Sequence, residues 1–174
     1  MAESLGKKFE RVIKEAFESV DNVSVDRLHD QTNGFAGSAN ICDFIVYKQP
    51  CLYYIECKTV HGNTLSIHSN DPKKKYGNIT NNQWEEMLKK SHIYGVHAGV
   101  ICWWVDHDIT AYIPIQVLDE LYKNGYKSIS YEWDKKVIDD NDDIWGVRQI
   151  KVVYGKKKRT FFDYDMERFF EEVE

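Results

Sequence analysis

No run of the 174-residue chain approaches the roughly 20 apolar residues that a membrane-crossing helix needs. The amino terminus, Met1-Ala-Glu-Ser-Leu-Gly-Lys-Lys, has no apolar core of the kind a secretory signal carries. Both lead us to expect an intracellular, cytoplasmic protein. Cysteine is sparse, and its four residues form no C-x-x-C pair, which removes the usual framework of a structural zinc site. Cys42, Cys57 and Cys102 fall inside apolar runs and read as small core residues, and Cys51 falls in a break. The six histidines are scattered and none is taken as a ligand. An excess of positive charge is also lacking. The formal net charge is −5, against the habit of nucleic-acid binders. That total hides its distribution, which governs binding more than the sum does. Lys73-Lys74-Lys75 and Lys156-Lys157-Lys158-Arg159 are dense basic clusters, while acid gathers in 139–143 and at the last residues. No internal repeat is present.

What is there is a folded composition. Hydrophobic residues make up 43% and aromatics 14%, which excludes a disordered chain. The length fits one domain, 1–174. We expect its core over about 5–125 and a carboxy-terminal hairpin and helix over 126–174.

The chemistry is concentrated in two β-rich runs, Ile41–Tyr47 and Leu52–Val60, around a short break with Pro50. This pattern predicts a hairpin. Asp43 lies on the first run, and Glu56 and Lys58 on the second. Alternation puts Glu56 and Lys58 on one face and Cys57 on the other. Side-by-side pairing would bring Asp43 to the same polar face. Two carboxylates a few Å apart repel unless a cation lies between them. Oxygen ligands at that density suit Mg²⁺ or Mn²⁺. A neighbouring lysine can neutralise a phosphate or hold a water. An ordinary cross-strand ion pair is the bland alternative. The apolar Tyr53-Tyr54-Ile55 before Glu56 weighs against it, because charge in a central strand is costly.

The set Asp43 … Glu56-Cys57-Lys58 resembles the PD-(D/E)xK nuclease core. Glu10 on a first helix and Gln83 within Thr80-Asn-Asn-Gln-Trp84 agree with that pattern, and the order of elements resembles the RecU-type Holliday junction resolvases and their phage relatives. The likeness runs from about Gly6 to about Leu121. Cys42 stands where the motif's name has proline, the segment before Asp43 is short for that family's stalk, and the last third has no counterpart. The resemblance implies a mixed α/β fold, a central sheet flanked by helices in a restriction-endonuclease-like core. It implies a divalent-metal-dependent endonuclease acting on four-way or other branched DNA as a homodimer. Asp43, Glu56 and the Cys57 carbonyl would be metal ligands, and Asp43, Glu56, Lys58, Gln83 and Glu10 the catalytic set. Lys73, Lys74, Lys75, Lys156, Lys157, Lys158 and Arg159 would meet DNA phosphates. A restriction- or repair-type nuclease on linear duplex, and a non-catalytic DNA-binding module, stay open as alternatives.

Along the chain, apolar spacing predicts a helix from Leu5 to Val20 with Ser4 as its cap, and a strand over Val23–Leu28. His29–Asn40 reads as a Gly- and Asn-rich loop beside the site, and His61–Asn78 as an irregular loop over its mouth. A second helix is expected over Ile79–Tyr94, buried strands over Val96–Val105 and Ile109–Ile115, and a helix over Ile115–Lys123. Asp106-His-Asp108 reads as a turn and not as a second metal site. Tyr126–Tyr131 is expected as an edge strand, and Val147–Tyr154 with Thr160–Tyr164 as a hairpin around Gly155–Arg159. A last helix over Asp165–Glu174 offers Met166, Phe169, Phe170 and Val173 to the core or to a dimer.

Overall fold

The computed structural model describes residues 3–28, 40–67, 79–133, 145–159 and 161–174. Helix α1 spans Leu5–Glu18, and its cap is Ser4, whose hydroxyl accepts from the Lys7 N–H at 3.4 Å. Phe9, Ile13 and Phe17 recur every fourth residue and are fully buried. Beyond the helix, Asn22 takes a left-handed φ of 59° and turns the chain into β1, Val23–Arg27.

The strands β2 (Phe44–Lys48) and β3 (Cys51–Val60) pair as an antiparallel hairpin whose turn holds a cis Gln49–Pro50 bond. β3 also pairs in parallel with β5 (Val96–Trp104), reached by way of β4 (Thr64–Ser66) and α2 (Asn81–Ser91). β6 (Ile109–Pro114) returns antiparallel to β5, and α3 (Ile115–Lys123) follows it. The two-residue strand β8 (Lys151–Val152) closes the sheet, giving the order β1-β2-β3-β5-β6-β8. This is a mixed central sheet with helices on both faces.

Alternation along β3 and β5 divides the core into two. Tyr54, Val100, Cys102 and Trp104 face α2 and α3 through Trp84, Met87, Leu118 and Leu121. Tyr53, Ile55, Cys57, Ile101 and Trp103 face α1 and the last helix, α4 (Met166–Val173). Gly99 is forced by this packing. A Cβ there would stand 2.5 Å from the Ile113 carbonyl oxygen and 2.6 Å from the Tyr112 ring.

Several expectations need correction. Strand β2 starts at Phe44 rather than Ile41, so Cys42 and Asp43 precede it, and β1 ends at Arg27. Cys51 is not loop but the buried first residue of β3. Helix α2 is shorter than Ile79–Tyr94, because Thr80 and Gln83 cap it at one end and the chain turns at Gly95 (φ 76°) before β5. The segment after Val60 opens as β4, with Leu65 and Ile67 fully buried, rather than as irregular loop. β4 pairs with β7 (Ser128–Ser130) in a separate small sheet, so the 126–131 stretch is not an edge of the main one. The carboxy-terminal hairpin lies entirely within β9 (Gly155–Lys157) and β10 (Phe162–Tyr164), and Val147 sits in a 3₁₀ turn instead. The apolar face of α4 is spent on the chain's own core. Phe169 and Phe170 pack on Phe17 at 5.4 and 5.6 Å between ring centroids, and both are within 6.0 Å of Tyr53. Met166, Phe169 and Phe170 are therefore core residues, and Val173 is half-buried. Among the described residues no helix is long and apolar enough to cross a membrane.

Candidate active site

The register Phe44↔Ile55, continued by one step, sets Asp43 opposite Glu56. The backbone at Asp43 stays tied on both sides, its N–H donating to the Ile55 carbonyl at 3.1 Å and its carbonyl accepting from Leu28 at 2.9 Å. Its carboxylate turns to the β3 backbone, where Oδ2 accepts from the Cys57 N–H at 2.7 Å. Two strands thus fix the side chain before any ligand arrives.

Glu56 is only 2% exposed. Its Oε1 accepts from the Lys58 ammonium at 2.5 Å, as two residues apart on one strand face allow. Its Oε2 is buried and has no hydrogen-bond partner among the described residues. A buried carboxylate oxygen without a donor is costly unless a cation completes it.

The electrostatics agree. Burial and the charge of Glu56 push Asp43 up to about 6, against the pull of the Cys57 N–H and of Lys58 and Arg27. Burial also raises Glu56, although Lys58 and a contact from the Gln83 side chain favour its charged form. Glu10, at the edge of the α1 stripe, is raised by partial burial and by Asp43. Three acids are therefore held above their ordinary range by being crowded out of water together. Lys58 moves the other way from a buried lysine. Burial alone would lower it, but Glu56 and Asp43 hold the ammonium above its usual value.

The structure brings all five expected catalytic side chains into one neighbourhood. Glu10 senses Asp43 and Lys58, and Gln83 acts on Glu56. Gln83 also has a local task. Its amide oxygen accepts from the Thr80 N–H at 3.1 Å, which closes the capping box of α2 and fixes the side chain at the helix start. Cys57 enters through its backbone, while its thiol is buried on the α1 face and pushed well up by burial. Cys42 is pushed up to about 12 by the same cause, so neither thiol is a nucleophile at neutral pH.

One charged side chain was missed. Arg27, at the end of β1, bonds Glu10 Oε2 through Nη2 at 2.7 Å and lowers both Glu10 and Asp43. The signal lay in the pairing of the two strand ends, Arg27 with Phe44, which puts a cation beside Asp43.

Whether a divalent ion suits these residues can be read from the donors. Two carboxylates, Asp43 just before β2 and Glu56 on β3, stand opposite each other, and one Glu56 oxygen is without a hydrogen-bond partner among the described residues. No three His, Cys, Asp or Glu side chains among the described residues close on a single point. A two-carboxylate site of this kind leaves positions for water and phosphate, as Mg²⁺ prefers. The residues fit.

No family model matches the chain, and no curated protein does. Among solved structures the fold is similar to the Holliday junction resolvase Hjc of the archaeal hyperthermophile Archaeoglobus fulgidus, at 17% identity and a TM-score of 0.42, over 64% of this chain and 78% of that one.

The remaining expected residues lie apart. Lys73, Lys74, Lys75 and most of the His29–Asn40 loop are outside the described residues. Lys156 and Lys157 are on β9, with Lys158 and Arg159 just after it, all exposed. Lys157 pairs with Asp108, and Lys158 with Asp163 at 3.1 Å. Val105–His107 form a 3₁₀ turn capped by Asp108, in which Asp106 accepts from the Gly62 N–H at 2.6 Å and meets His61 at 3.1 Å. That is a structural clasp between two strand ends.

Proposed function

We propose that the protein is a divalent-metal-dependent endodeoxyribonuclease with its active centre at Asp43, Glu56 and Lys58. The observation that carries this is Glu56, whose buried carboxylate faces Lys58 through one oxygen and is orphaned at the other, opposite Asp43. A pure binding module has no use for a buried acid with one oxygen left unpartnered.

Asp43, Glu56 and the carbonyl of Cys57 would hold the ion. Bound there, Mg²⁺ or Mn²⁺ would supply positive charge against the phosphoryl oxygens and the leaving group. Lys58 keeps its proton at neutral pH, since its acid neighbours raise it. It therefore acts as a donor that orients the attacking water or a phosphoryl oxygen, and not as the base. Gln83, fixed by the α2 cap, steadies the Glu56 carboxylate, and Glu10 with Arg27 sets the charge beside Asp43.

The substrate implied by the sequence pattern is a branched DNA such as a four-way junction, cut by a symmetric dimer. The test uses labelled junction and linear duplex of one sequence, with Mg²⁺ and with EDTA, for the native chain, Asp43→Asn and Glu56→Gln. We expect junction cleavage only with the native chain and the ion. Cleavage by either variant would remove the centre. Equal cutting of linear duplex, or full activity from a monomer in light scattering, would favour a restriction- or repair-type enzyme. Binding without cleavage would leave a DNA-binding module.

A further inference from the structure

A cleft of about 470 Å³ opens at the end of the sheet where β5 turns into β6. Its size falls within the ~300–1,000 Å³ usual for ligand pockets. Tyr131, Trp133, Tyr154, Phe162 and Tyr164 line it, and none of them belongs to the acidic centre. Tyr154 is 42% exposed, although an aromatic ring usually has something to pack on. Its ring is already braced. The Arg168 guanidinium lies 3.5 Å from its centroid and is itself held by Glu172 at 2.7 Å. Tyr154 lines the cleft and Arg168 does not. A half-exposed ring braced by a cation can serve as a stacking platform.

The charge around it is the second observation. The β9–β10 hairpin that supplies Gly155 and Phe162 to the cleft wall continues directly into Lys156, Lys157, Lys158 and Arg159. Lys157 is paired with Asp108 and Lys158 with Asp163, and among the described residues Lys156 and Arg159 are left to meet an anion here. The place is the third. Thr59, Trp103 and Thr110 form one row across β3, β5 and β6, and Thr110 lines the cleft. Two strand spacings, about 10 Å, thus separate the cleft from the strand bearing Glu56 and Lys58. Both lie toward the same end of the sheet.

We infer that this cleft binds single-stranded DNA, stacking an unpaired base on the rings while Lys156 and Arg159 meet the flanking phosphates. Base–aromatic stacking with a positive groove is how sequence-tolerant single-strand sites work. Resting on the nuclease reading, it specifies the substrate further as DNA with unpaired nucleotides beside the scissile bond.

The test is anisotropy of labelled oligo(dT) with the full chain in EDTA, so that no cleavage intervenes. Binding should appear with quenching of tryptophan fluorescence, since Trp133 lies in the wall. Tyr154→Ala, a half-exposed position that the fold tolerates, should weaken it roughly 5- to 100-fold, the range of one lost stack. Tyr154→Phe, which keeps the ring, should restore native affinity. An abasic strand of equal length, which keeps the phosphates, should bind as weakly as oligo(dT) binds Tyr154→Ala. Equal affinity of abasic and dT strands, or of Tyr154→Ala and native chain, overturns the inference and leaves a charged surface. Failure here with junction cleavage intact sinks only this site. Strand binding that persists in a chain with no cleavage upholds the cleft and removes the nuclease.

Discussion

Replacing Asp43 by Asn should stabilise the metal-free protein while removing its activity. Burial and Glu56 together move the Asp43 carboxyl from 3.8 to about 6, which corresponds to about 3 kcal/mol against the ionised form at neutral pH. Asparagine has the same shape and no charge. Its side-chain oxygen can still accept the Cys57 N–H that Asp43 now takes at 2.7 Å. The amide carries its own burial cost, so we expect a net gain of about 1–2 kcal/mol. For a chain of this size that is roughly 3–6 °C in Tm.

The sign with pH is fixed. A raised carboxyl means that the folded state holds a proton which the unfolded chain has lost between pH 3.8 and about 6. Native stability is therefore drained as pH rises through that window, and the variant escapes the loss. The two proteins should unfold alike near pH 3.5 and diverge up to about pH 6, with a constant gap above. Calorimetric unfolding in EDTA at several pH values measures this directly. Added Mg²⁺ should then raise the native Tm toward or past that of the variant, whose own Tm stays put. An Asp43→Asn chain less stable than native at pH 7, or a gap that ignores pH, would refute the argument.

Lys58→Ala should lose cleavage yet retain Mg²⁺ binding by titration calorimetry. It should also cost about 3 kcal/mol at pH 7 by leaving Glu56 without its cation, and less as pH falls, because burial already favours the protonated form of Glu56. Alanine at Lys156, Lys158 and Arg159 should flatten the salt dependence of DNA binding by about one in slope per lost contact, and the same test on Lys73, Lys74 and Lys75 decides whether that cluster meets DNA. His97 is lowered by burial against Tyr53, with ring centroids 4.9 Å apart, so the native chain should lose stability as pH falls below 6.5, and His97→Gln should flatten that limb of a thermal-unfolding series.

The parts of the fold legible in the sequence are those where burial on two faces leaves a continuous apolar run. β3 and β5 are such runs, and so is the four-residue rhythm of Phe9, Ile13 and Phe17. The carboxy-terminal third resisted because its elements are short and decided by tertiary contact. Lys156 and Lys157 have poor strand propensity, yet they form a strand because Phe161 and Phe162 beside them pack on Trp103 at 5.5 and 6.3 Å. The stripe on α4 was visible as a stripe. Its spacing says only that the face is covered, and nothing in it distinguishes Phe17 and Tyr53 of the same chain from a partner.

The acidic centre was legible through alternation, and the reason reaches into its chemistry. Residues 43 and 56 sum to the same register as 44 and 55, so a hairpin long enough to pair Phe44 with Ile55 carries Asp43 to Glu56 without further specification. What alternation could not reveal is the cost of the arrangement. Asp43 turns its carboxylate to the Cys57 N–H, Glu56 lies 2% exposed, and among the described residues the only charge bonded to it directly is Lys58. One cation against two buried acids leaves a deficit, and Arg27 covers part of it from a distance through Glu10. The orphaned Glu56 Oε2 is where that deficit is localised. A second cation at that oxygen would satisfy it, and a phosphodiester brought to the same point would then meet positive charge held by a rigid frame of two paired strands.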